Sequence, residues 1–193
     1  YQITSLNYAE MRWALVMTKG TNYTTQRWFS GETFPADDIK KGWDESFSIT
    51  HVTYGNKRWV VVMSKGSNLG MQAWRTRTNF SDIEKEIKDL REKGYYITNL
   101  TYGNGAWALV MSTGTGYTNQ YFTTKSSFPD TEIKEYWDKD YYITSVEYGN
   151  GLWSVVMSRG GKHSHQTWRT RYNYPDKEIK ELWDDGNYIS YLG

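Results

Sequence analysis

Four stretches of this chain alternate bulky and small apolar residues in the same order, each opening on a tryptophan and closing on a methionine. In the clearest, Trp107, Leu109 and Met111 fall on one face of an extended strand and Ala108 and Val110 on the other. Apolar residues on both faces predict a strand covered on both sides. The four leading tryptophans, Trp13, Trp59, Trp107 and Trp153, lie 46, 48 and 46 residues apart, a period that marks a solenoid, propeller or similar array.

A second strand is predicted ahead of each tryptophan. It carries Ile3, Ile49, Ile97 or Ile143 and ends on Tyr8, Tyr54, Tyr102 or Tyr148. Its alternation places Thr98, Leu100 and Tyr102 on one face and Ile97, Asn99 and Thr101 on the other, the pattern of a half-exposed strand. Between the two strands stands a Gly-Asn turn, Gly55-Asn56, Gly103-Asn104 or Gly149-Asn150, read as hairpin chemistry supplying positive φ. Copy one departs from this with Ala9, Glu10 and Met11.

A third strand holds Gln26, Gln72, Gln120 or Gln166, each two residues before Trp28, Trp74, Phe122 or Trp168. The last segment is helical, with Ile39 and Trp43, Ile133 and Trp137, or Ile179 and Trp183 four apart on one face, and acidic residues at the start that suit the dipole. In copy two Ser81 replaces proline, two residues are inserted and Leu90 follows Ile87, which predicts a longer, differently packed helix.

The predicted fold is therefore mainly β with short helices: four βββα repeats at 1–46, 47–94, 95–140 and 141–186, with a partial fifth strand at 187–193, in one domain. A closed pseudosymmetric, propeller-like ring is expected, its four indoles sharing one continuous interior; an open superhelical stack is the alternative. Copies one and three, and copies two and four, resemble each other most, which adds an approximate two-fold.

Aromatic residues make up 17% of the chain, so rings supply what aliphatics usually supply, and many must stay partly exposed. A net charge of +1 offers no global field for nucleic acid or an anionic membrane. No apolar run reaches membrane-spanning length, and the expectation is a soluble protein whose compartment the sequence leaves open, the cytoplasm being slightly favoured. The chain opens inside a motif at Tyr1, as one with a larger N-terminal part would. With no cysteine there is no disulfide or thiol catalysis.

Catalysis needs unlike groups converging at one place, whereas repeats give the same group four times, spread apart. His51, His163 and His165 recur in no other copy, and no third metal ligand accompanies the last two. No cofactor is expected. Two features suit binding. A glutamine beside a ring, at Gln26 and Trp28, Gln72 and Trp74, Gln120 and Phe122, and Gln166 and Trp168, could hold a sugar, or its amide could satisfy backbone groups where strand meets turn. Arg75 with Arg77, and Arg169 with Arg171, form basic ridges that could grip phosphate or carboxylate, or could balance nearby Glu and Asp.

The Tyr-Ile-Thr strand, the Trp-x-x-Val-Met-Ser core, sharpest in Val-Val-Met-Ser at 61–64 and 155–158, the Gln-x-Trp pair and the Phe-Pro-x3-Ile-x3-Trp helix together resemble a domain of unknown function. That domain stands at the C-terminus of plant casein-kinase-I-like protein kinases and in bacterial multidomain proteins. The resemblance implies an accessory module attached to signalling enzymes. It transfers no catalytic residue, because the Gly-rich loop and His-Arg-Asp of a kinase are absent. The expected function is a non-enzymatic binding or scaffold module for a protein or peptide, with a multivalent carbohydrate-binding protein as the alternative and an enzyme third. Self-association through the terminal strand is a further expectation.

Overall fold

The computed structural model describes residues 1–9, 11–161, 166–171, 173, 175–187 and 189. In each copy the first two strands form a hairpin: β1 (Gln2–Ala9) with β2 (Arg12–Thr18), β4 (Ser48–Gly55) with β5 (Arg58–Lys65), β7 (Tyr96–Gly103) with β8 (Ala106–Ser112), and β10 (Tyr142–Gly149) with β11 (Leu152–Gly160). Ala9 lies opposite Arg12 as Gly55 lies opposite Arg58, so the hairpin of copy one keeps the register of the others.

The third strand leaves its own copy. β3 (Thr25–Gly31) pairs with β5, β6 (Gln72–Arg77) with β8, and β9 (Tyr117–Lys125) with β11, all antiparallel. The helices follow the same rule. α1 (Ala36–Asp44) packs on β4 and β5, α2 (Phe80–Arg91) on β7 and β8, and α3 (Asp130–Trp137) on β10. The physical module is thus a strand and helix from one copy closed over the hairpin of the next, in place of the self-contained βββα unit read from the sequence. Successive first strands stack β1 on β4, β4 on β7 and β7 on β10. No ladder closes this series into a barrel among the described residues.

Three clusters fill the spaces between sheets, in place of one continuous interior. In one, Ile39 of α1 meets Trp59, Val61 and Met63 of β5, with Ala108 and Val110 from the back of the next sheet. In another, Ile83, Ile87 and Leu90 of α2 meet Trp107, Leu109 and Met111, backed by Val156. The third joins Ile133 to Val155 and Met157. β5 and β8 are covered on both faces, as their pattern predicts. The longer α2, twelve residues against eight or nine, inserts Leu90 where the other copies place a tryptophan.

One expectation needs correction. The first strand is not half exposed: Ile97, Asn99, Leu100 and Thr101 are all buried. A bulge between Ile97 and Asn99 resets the alternation, and stacking on neighbouring first strands covers the rest. The turns do supply positive φ, at Asn56 and Lys57, at Asn104 and Gly105, and at Asn150 and Gly151. Gly55, Gly103 and Gly149 are needed for space, because a Cβ there would lie 2.1 to 2.2 Å from Cβ of Tyr8, Tyr54 and Tyr102 in the preceding copy.

Gly103→Ala therefore destabilises by roughly 1–3 kcal/mol through overpacking. Ala9→Gly, where no tyrosine presses, stays within about 1 kcal/mol. Chemical denaturation of the two variants checks the contrast, and equal losses would contradict it.

Candidate functional site

The four glutamines form the most regular polar feature of the fold. Gln120 Nε2 donates to the Ile97 carbonyl at 2.9 Å while its Oε1 accepts from the Ile97 N–H at 2.8 Å. Gln26 brackets Ile3, Gln72 brackets Ile49 and Gln166 brackets Ile143 in the same way, between 2.6 and 2.9 Å. In each case the amide stands in for a missing peptide at the bulge of its copy's first strand. The second amide hydrogen of Gln26, Gln72 and Gln120 reaches Ser64, Ser112 and Ser158 in the next copy at 2.9 to 3.1 Å. These amides staple one sheet to the next, with their donors and acceptors directed into the protein.

The paired rings differ among copies. Trp74 packs against Phe34 with centroids 4.9 Å apart, Phe122 against Phe80 at 6.5 Å, and Trp168 against Trp137 at 4.8 Å. Each rests on an element of the preceding copy or its helix. Trp28 is 68% exposed.

The arginine ridges clip strand to helix. Arg75 Nε lies 2.8 Å from Glu86 of α2, and Arg77 contacts the other oxygen of the same carboxylate. Arg171 meets Glu178 of α4 (Asp176–Asp184) at 2.7 Å, and Lys125 meets Glu132 at 2.5 Å in copy three. Arg169 donates to the Thr167 hydroxyl and the Trp168 carbonyl. The ridges thus stand over helix carboxylates.

A column of polar groups that the repeat pattern does not single out runs between the stacked first strands. His51 Nε2 lies 2.6 Å from the Leu6 carbonyl, the Thr101 hydroxyl donates to the Val52 carbonyl at 2.9 Å, and Glu147 accepts from the Tyr102 N–H at 3.3 Å. Burial pushes the His51 imidazole below its ordinary range, against the opposing pull of that carbonyl. Burial pushes the Glu147 carboxyl up to about 8, the Tyr102 N–H opposing only in part. Each group serves a neighbouring strand separately, and they do not converge on a cleft. Among the described residues no group of three or more His, Asp and Glu could hold a metal ion; His163 and His165 lie outside the described residues.

An exposed apolar row lies on β2 of copy one. β2 has an unpaired outer edge because no third strand reaches it among the described residues. Its Trp13, Leu15 and Met17 are 40%, 53% and 45% exposed, whereas the matching Trp107, Leu109 and Met111 are fully buried. In the sequence this copy stands apart at Ala9, Glu10 and Met11, in place of the Gly-Asn turn of the others. No helix among the described residues is long and apolar enough to cross a membrane.

The fold and these surfaces define a β-rich repeat protein with interlocked modules. More specifically, the chain belongs to the family described as a domain of unknown function, DUF7477, whose model matches residues 1–80 and again 65–192. No curated protein and no solved structure matches the chain.

Two outcomes test this geometry. Gln120→Ala leaves the Ile97 N–H and carbonyl unpaired and costs roughly 2–4 kcal/mol, read by urea denaturation; a loss under about 0.5 kcal/mol would contradict the staple. The stability that Glu147 contributes is fully present below its ordinary pKa of 4.5 and is lost as pH rises through about 8, at up to about 1.4 kcal/mol per pH unit traversed. Glu147→Gln flattens that decline, which melting curves between pH 5 and about 9 would display.

Proposed function

We propose that this chain is a non-enzymatic binding module for a protein or peptide partner, serving as an accessory domain of a larger protein. The observation that carries this reading is the row of Trp13, Leu15 and Met17 exposed along β2, whose outer edge no strand pairs among the described residues. An unpaired strand edge offers main-chain hydrogen bonds to an extended segment, and side-chain sockets on its face give that segment selectivity. Aromatic and methionine side chains at such a site are the types that dominate interfaces. A contiguous apolar surface of this kind marks an interaction site more often than a bare exterior.

The non-enzymatic part draws support from the titratable groups His51 and Glu147, each of which bonds the backbone of the adjacent strand. The carbohydrate reading has weaker support. It relies on free amides beside Trp28, Trp74, Phe122 and Trp168, and Gln26, Gln72, Gln120 and Gln166 direct theirs to Ile3, Ile49, Ile97 and Ile143. The Arg75, Arg77, Arg169 and Arg171 ridges remain partly exposed above their carboxylates, and a secondary contact there with an acidic segment is compatible with the proposal.

A library of extended peptides, screened by fluorescence anisotropy, tests the reading. Bound peptides slow hydrogen exchange in β2, and Leu15→Asp, at an exposed position, weakens binding at least about tenfold while the melting temperature holds. If peptides bind undiminished to Leu15→Asp, or if only a glycan array gives ligands, the reading fails.

A further inference from the structure

The end of α1, the start of β4 and the loop entering β6 enclose a pocket of about 320 Å³, lined by Trp43, Phe47, Ser48, Leu69, Met71 and Gln72 among others. No residue of β2 takes part in it. Trp43 is fixed by its indole N–H, which donates to Gln72 Oε1 at 3.2 Å, and Gln72 is itself bonded to both backbone groups of Ile49. Phe47 is buried, with the Arg27 guanidinium 4.5 Å and the Lys65 ammonium 4.7 Å from its ring centre. Met71 is 68% exposed. Aromatic walls held by the fold and a flexible thioether at the rim make a preformed site for a flat apolar group.

The next junction shows which group fits. Ile49 aligns with Ile97 and Gln72 with Gln120, so Ser48, Leu69 and Gly70 stand where Tyr96, Tyr117 and Thr118 stand one copy later. There Tyr96 crosses the matching position. Its hydroxyl donates to the Thr118 carbonyl at 3.1 Å, and its ring meets that of Tyr117 edge-on with centroids 6.1 Å apart. Every other copy keeps at least one ring at these two positions: Tyr23 in copy one, Tyr96 and Tyr117 in copy three, Tyr142 and His163 in copy four. Copy two has serine and leucine.

The backbone that frames the two junctions is the same. The Phe47 N–H bonds the Gly42 carbonyl at 2.9 Å as the Tyr95 N–H bonds the Leu90 carbonyl at 3.1 Å, so Trp43 matches Arg91. Ser46 and Gly94 both turn the chain out of the helix with positive φ. Gly66 and Gly114 do the same at the start of the following loop, at +78 and +70. Copy two thus keeps the frame of the junction and withdraws the side chains that fill it.

We propose that this pocket takes a tyrosine side chain of a protein or peptide partner, which stands where Tyr96 stands in the following junction and donates its hydroxyl to the Gly70 carbonyl. Gly70 is exposed, and its N–H is engaged by the Thr113 carbonyl at 2.9 Å, which holds the loop in place. The ring lies between Trp43 and Leu69, with Met71 adapting to it. A phenol suits such a place because its apolar body is covered while its polar tip is paired. A phosphate on that tyrosine removes the donor and sets negative charge against a carbonyl, so phosphorylation of the partner releases it. This site goes beyond the reading of β2 and does not depend on it.

The test uses the full chain and a blocked five-residue peptide with one central tyrosine, titrated while backbone amide shifts are followed by NMR. Shifts concentrate at residues 43, 46–48 and 69–72. The phenylalanine version of the peptide binds about threefold or more weakly, as the loss of one hydrogen bond implies, and the phosphotyrosine version about tenfold or more weakly. Ser48→Tyr, which copies the residue of the next repeat into the pocket, abolishes the shifts while the melting temperature holds. Absence of shifts at millimolar peptide overturns the proposal, and so does undiminished binding to a folded Ser48→Tyr chain. Equal affinity for the phenylalanine peptide, or tighter binding of the phosphotyrosine peptide, also overturns it, and these two comparisons need no variant to fold. Shifts confined to β2 sink this site and leave the β2 reading standing, so the two failures are distinguishable.

Discussion

The fold depends on one topological constraint: the third strand and helix of each copy complete the module of the next. A three-stranded sheet with a helix on one face is close to the smallest arrangement that hides an apolar strand, and no single copy contains all its parts. β5, β8 and β11 are buried because two consecutive copies contribute to each. Stability is therefore shared between neighbours, as in other one-dimensional arrays, and the loss of one junction exposes both of its halves.

The recurring residues make sense once that crossing is recognised. A strand that leaves one sheet for the next must still be tied to its origin, and the glutamine does this with one side chain. Its amide accepts and donates at the bulge of the copy it left while it reaches a serine hydroxyl in the copy it enters. A bulge leaves backbone groups without ladder partners, and burying them unpaired would carry a penalty that repeats at every copy. The tyrosine and turn glycine solve the matching steric problem, since stacking first strands this closely leaves no room for a Cβ.

Much of this architecture was legible in the sequence, though its connectivity was not. The period, the strand order, the hairpins and the longer α2 followed from apolar spacing and turn residues. Periodicity reports which face of a strand is buried but not which strand lies beside it, so from the sequence the third strand reads as part of its own copy. The glutamines were recognised as a repeated feature with two readings, and the choice between them needed the distance from Gln120 to Ile97. His51 and Glu147 gave little signal because they occupy different positions of a column whose other members are small or neutral, such as Ser5 and Ser145, Asn7 and Thr53. The exposed face of copy one was hidden by the repeat itself, since Trp13, Leu15 and Met17 carry the same pattern as their buried counterparts.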